Sequence, residues 1–149
     1  MTIALPVAVV LLIAIGAVEA SVSAQQLAES VGRPRLETAG LALSAAGLLA
    51  STLVYVALGF LSTNDRAALR TGAIAGTLAG LLGGTLRAFI ISEAVGELVA
   101  RYADVPEWFV PGALAVFVVL SCLASVVGGA ALSWTGRRVS RAARSRPRA

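Results

Sequence analysis

Four long apolar segments separated by short polar breaks constrain this chain more than any other feature, and they run over residues 3–24, 36–61, 71–92 and 108–134. A hydrocarbon core of ~30 Å takes about 20 apolar residues of α-helix to cross, because backbone amides must pair within the segment once water is gone. Each segment meets that length. The breaks between them carry turn chemistry: Gly32-Arg33-Pro34-Arg35, Ser62-Thr63-Asn64-Asp65-Arg66 and Ala103-Asp104-Val105-Pro106. Pro6 and Pro111 fall near the starts of their segments, where a missing N–H is tolerated. The expected fold is all-α, a polytopic membrane protein whose four transmembrane helices form a bundle over residues 1–136. Its third helix is expected to extend to about residue 101, and residues 137–149 read as a basic, disordered cytoplasmic tail.

Composition narrows the chemistry. At 58% hydrophobic and 13% charged residues, the chain lies outside the range of soluble domains. It has no His and a single Cys, Cys122, so neither a disulfide framework nor a His/Cys metal site can form within a monomer, and no metal or cofactor is expected. Cys122 sits in an apolar run without a basic neighbour and reads as a small packing residue. There is no G-x-S-x-G, no pair of intramembrane acids and no Ser with a nearby base, which argues against an enzyme. All twelve basic residues are Arg, a usage expected of a GC-rich bacterial genome.

Orientation follows from the placement of those arginines. Arg66, Arg70 and the tail residues Arg137, Arg138, Arg141, Arg144, Arg146 and Arg148 share one side, against Arg33, Arg35 and Arg101 on the other. The Arg-rich side is expected to be cytoplasmic, placing both termini there in a multi-pass protein of the cell membrane. The tail is a topology signal that also touches anionic lipid head groups, a reading preferred to nucleic-acid binding directly after an apolar span. Residues 3–18 also resemble a signal-peptide core, with Val22-Ser23-Ala24 before Gln25 as a small-residue cleavage site, although a basic n-region is missing.

An internal repeat is visible at an offset of 68. It places Gly16 on Gly84, Ala20 on Ala88, Glu29 on Glu97, Val31 on Val99 and Arg33 on Arg101. Each half then reads as a helical hairpin. Both halves enter the membrane in the same direction, so the repeat is parallel. Glu29–Arg33 and Glu97–Arg101 are i,i+4 pairs that would extend the odd-numbered helices beyond the hydrocarbon.

The same offset brings Glu19 onto Arg87, and these are the two ionisable residues well inside the expected spans. Each lies roughly 8 to 9 Å outward of its helix centre, so the two can meet at one depth. A lone charge there costs on the order of 2 to 3 kcal/mol or more, which makes mutual pairing the economical arrangement. Gly72, Gly76, Gly80 and Gly84 recur every four residues on the face that Arg87 continues, marking a helix-packing seam for this monomer or an oligomer. The second span presents Ser44, Gly47, Ser51, Tyr55, Gly59 and Ser62 along one stripe, with Tyr55 a possible polar partner of the charge pair. The fourth offers Ser121, Ser125, Gly128 or Gly129, and Ser133. Glu19 is either a proton or cation site gated by Arg87, or half of a latch joining the first and third spans; the latch is preferred.

With four spans in a short chain and a membrane-embedded Glu19 in the first, the sequence resembles the small multidrug transporters. It departs from them in its third span, which is Gly- and Ala-rich rather than aromatic-rich, and in an Arg bias that fits one fixed orientation. The resemblance therefore implies no membership. The function expected first is an accessory or structural subunit packing against other membrane proteins. The second is a homo-oligomeric small transporter or channel using Glu19 and Arg87.

Overall fold

The computed structural model describes residues 3–30, 38–102, 105, 106 and 108–144, and among them every regular element is helical. Helix α1 spans Ala4–Ser30, α2 Thr38–Leu61, α3 Asp65–Leu78, α4 Gly84–Tyr102 and α5 Phe109–Arg144. A π-helical turn, Ala79–Gly83, joins α3 to α4, so the two form one continuous rod. Four helices are long and apolar enough to cross a membrane: Ala4–Gln26, Ala42–Leu61, Asp65–Ala100 and Phe109–Arg144.

Local chemistry sets the boundaries. Asn64 caps α3, its Oδ1 accepting from the Ala67 N–H at 2.7 Å, and Asp65 adds negative charge to the first turn. The third span therefore begins at Asp65, earlier than the apolar run from residue 71 suggests. At the other extreme, α5 does not stop at the end of its apolar run, and residues 137–144 continue it instead of forming a disordered tail. Arg137 to Arg144 contains only Arg, Ala, Ser and Val, with no Gly or Pro to end the helix. Tertiary contacts hold this extension in place: Arg137 Nη2 donates to the Thr63 carbonyl at 2.5 Å, Arg141 pairs with Asp65 at 2.7 Å, and Ser140 is buried. The guanidinium of Arg138 lies 4.3 Å from the Trp134 ring centroid. Of the arginines assigned to head groups, Arg137 and Arg141 thus bind the α2–α3 turn, while Arg144 is exposed. Arg146 and Arg148 lie outside the described residues, as do Arg33, Pro34 and the Arg101 side chain on which the two i,i+4 pairs depend.

Packing rests on small residues. An apolar cluster of Ala8, Val9 and Leu12 from α1, Tyr55 and Leu58 from α2, and Ala75 from α3 fills one end. Along α3 and the π turn, a Cβ on Gly72 would strike the Gly129 carbonyl, on Gly76 the Ser125 carbonyl, and on Gly80 the Cys122 backbone. Gly84 continues the line against Ser121 and Val118. Gly59 meets the Ser133 carbonyl, and Gly136 meets that of Val56. Backbone-to-backbone approach of this kind supplies dispersion contact where lipid removes the hydrophobic drive between helices. Ser133 is fully buried in the junction, donating to the Tyr55 carbonyl at 3.0 Å. Thr77, Thr85 and Thr135 on exposed faces, and Thr52 beside the cavity, each donate to the carbonyl four residues back, which satisfies the hydroxyl within its own helix.

Candidate functional site

Glu19 and Arg87 arrive at one point from two helices. Glu19 sits in the second half of α1, and Arg87 follows the π turn near the start of α4. Arg87 Nη2 lies 2.5 Å from Glu19 Oε2, and Arg87 Nε donates to the Gly16 carbonyl at 3.1 Å. Two glycines make room for the pair. A Cβ on Gly16 would come within 2.6 Å of Arg87 Nε, and one on Gly47 of α2 would overlap the Glu19 carboxylate. The ion pair is therefore clasped by α1, α2 and α4 and is not merely laid across two helices. Neither side chain is sealed, with 21% of Glu19 and 33% of Arg87 accessible.

What they are accessible to is a cavity of about 480 Å³. All four spans line it: Leu12, Gly16 and Glu19 from α1, Ser44 to Tyr55 from α2, Ala79 to Arg87 from the third span, and Ala124 to Leu132 from α5. The hydroxyl-bearing residues Ser51 of α2 and Ser125 of α5 both line it, and the π turn contributes Ala79, Gly80 and Gly83. A π turn carries its i→i+5 bonds at the cost of a wider, looser turn, and such turns are frequent at functional sites. At one end α2 and α5 close on each other through Gly59, Ser133 and Gly136. Toward the other end the exposed residues Leu48 and Ala124 mark a side opening between these two helices.

Two residues singled out from the sequence sit elsewhere than expected. Tyr55 lines the same cavity but makes no hydrogen bond to Glu19 or Arg87; its ring packs against Gly129. The reason is distance: Glu19 meets α2 at Gly47, and Tyr55 lies two turns further on, about 12 Å along the axis. Gly128 is no packing residue, since a Cβ there would meet nothing within 4 Å, and Gly129 occupies the seam instead. Sequence reasoning carried the small-residue face of α5 through Gly129 and Ser133 but missed its continuation at Gly136 and Ser140, all four of them buried. Its three- and four-residue spacing was a legible signal that ran past the end of the apolar segment. No group of three or more metal-ligating side chains occurs among the described residues.

Compared with family models, curated proteins and solved structures, the chain matches none. The site must therefore be read from its own geometry.

Proposed function

We propose that this chain is a small carrier of the cell membrane that binds its substrate in the central cavity, at the Glu19–Arg87 pair. The observation that carries this reading is the cavity itself, which draws its wall from every span and contains an accessible charge pair. A latch alone needs no such space, because a pair that only joins two helices can be packed directly between them. The sequence favours an accessory subunit for want of a substrate cavity; the cavity reverses that order. It also lies within one copy of the chain, so a homo-oligomer is not needed to build it.

The wider architecture fits the same proposal. Helix α1 touches α2, α3 and α4, α2 also touches α3, and α5 touches α2, α3 and α4, while among the described residues the backbones of α1 and α5, and of α2 and α4, stay apart. That pattern is expected of a four-helix bundle made from two parallel hairpins about a central axis, with the cavity on the axis. The charge bias of Arg66, Arg70 and the arginine-rich end of the chain supports a cytoplasmic location for both termini.

A second reading has one observation in its favour. No residue in the most apolar stretch of α5 is fully buried, and Val116, Val119, Leu120, Leu123 and Val127 are exposed. A span so bare could pack against another membrane protein, as an accessory subunit would. Mass measurement of the intact assembly released in mild detergent separates the two. A single chain carrying a small non-protein adduct, lost when Gly128→Leu fills the cavity, supports the carrier. Stoichiometric co-purification of larger subunits, indifferent to Gly128→Leu, would sink it.

A further inference from the structure

The charge inventory of the cavity limits what it can hold. Its lining includes one carboxylate, Glu19, and one guanidinium, Arg87, and the two are already paired. The site is therefore neutral but strongly dipolar. A ligand bearing a single net charge would have to take one partner away from the other, leaving an uncompensated ion inside a membrane-spanning segment. A neutral apolar ligand would leave the pair unsolvated and use none of its field. A ligand that carries both signs meets neither difficulty, because its cation can face Glu19 while its anion faces Arg87, and the four charges alternate.

We propose that the ligand is a zwitterion: an ammonium and an anionic group a few atoms apart, attached to an apolar body. This rests on the carrier reading above and deepens it. Both charged side chains are reachable from the cavity, at 21% and 33% accessibility. Arg87 keeps its orientation without Glu19, because its Nε remains tied to the Gly16 carbonyl at 3.1 Å. The guanidinium is thus a pre-positioned anion receptor that the ligand need not reorganise. Beyond the pair, Leu12, Leu48 and Leu132 provide apolar wall for the body of the ligand. A volume of about 480 Å³ lies within the range of small-ligand sites, ~300 to 1,000 Å³. The side opening at Leu48 and Ala124 admits either a free solute or a lipid head group, and both sources share this chemistry.

Thermal stability of the full chain in a non-ionic detergent tests the inference. The probes are leucine as the zwitterion, leucine methyl ester as its cation and N-acetylleucine as its anion. Short-chain phosphatidylethanolamine and phosphatidylglycerol supply the head-group arm. Leucine or phosphatidylethanolamine is expected to raise Tm saturably, with at least ten-fold higher affinity than its singly charged counterparts; whichever zwitterion does so names the source. Glu19→Gln should reverse the preference toward N-acetylleucine, since Arg87 is then unpaired. Gly128→Leu, which fills open space, should keep or raise the unliganded Tm and lose every shift. If the ester or the acetyl compound binds the unmodified chain as well as leucine, and phosphatidylethanolamine shows no advantage, the zwitterion is wrong while the cavity stands. Zwitterion binding unaffected by Gly128→Leu would place it outside the cavity and overturn both readings. No shift from any probe overturns the zwitterion, and the wild-type ranking decides the matter even where Glu19→Gln fails to fold.

Discussion

Glu19 and Arg87 each lie where an isolated charge is expensive, so their contribution is best expressed as a coupling. Removing either alone leaves the other uncompensated, whereas removing both leaves two neutral polar groups. Glu19→Gln or Arg87→Gln should each lower stability by about 2 to 3 kcal/mol, and the double variant by clearly less than the sum. Thermal or denaturant unfolding in detergent supplies the cycle; strictly additive losses would mean that the pair at 2.5 Å does no coupling. Gly47 adds an independent check, because its missing Cβ is what accommodates the carboxylate. Gly47→Ala is expected to push Glu19 off Arg87 and cost roughly 1 to 3 kcal/mol as overpacking. That penalty should largely vanish when Glu19 is already Ala. The pair was legible from sequence because two opposite charges stand alone in uncharged spans at matching depth. The roles of Gly16 and Gly47 were not, since a glycine in a glycine-rich chain carries no sign of which neighbour it admits.

Among the elements, the third span shows what spacing alone can and cannot reveal. A repeat of four residues drifts about 40° per step around an α-helix, so Gly72, Gly76, Gly80 and Gly84 would slide off one face of a straight rod. The wide turn at Ala79–Gly83 offsets that drift and keeps Gly80 and Gly84 against α5 while Arg87 still reaches α1. The four-residue period was thus a trace of the π turn, although propensity gives no separate signal for it. Deleting Leu81, which is half exposed, should restore α geometry and leave Arg87 near its present bearing from Gly72 and Gly76, because a π turn takes in one extra residue over about the rise and rotation of an α turn. The deletion variant is therefore expected to retain the Glu19–Arg87 coupling, so that adding Arg87→Gln still costs stability; a lost coupling would mean that the extra residue of the turn sets the bearing of Arg87. Glycines on α5 provide a paired contrast. Gly129→Ala would drive a Cβ into the Gly72 carbonyl and the Tyr55 ring, whereas Gly128→Ala meets open space. The first should destabilise, and the second should stabilise by about 0.5 to 1 kcal/mol through helix propensity. Equal effects would mean that the seam does not run through Gly129.

For the whole molecule, hydropathy locates the four spans but misplaces their ends, because it counts apolar residues and the ends are decided by polar contacts. Asn64 and Asp65 start the third span in a polar stretch, and Arg137, Ser140 and Arg141 extend the fourth through one. At 36 residues α5 is about 54 Å long, longer than a hydrocarbon core of ~30 Å requires, and its last turns are the arginine-bearing ones. They fasten the α2–α3 turn, through Thr63 and Asp65, to the end of α5. The fastening closes the molecule at the end where α2 and α5 already meet through Gly59, Ser133 and Gly136. Charge bias and clamp can be separated, since Arg146 and Arg148 lie past the described helix while Arg137 and Arg141 carry the contacts. Ending the chain after Arg144 should therefore leave Tm unchanged. Ending it after Gly136 removes the Thr63 and Asp65 contacts together with buried Ser140, and should lower stability by about 1 to 3 kcal/mol. A Tm equally insensitive to both truncations would return residues 137–144 to the role of a topology signal alone.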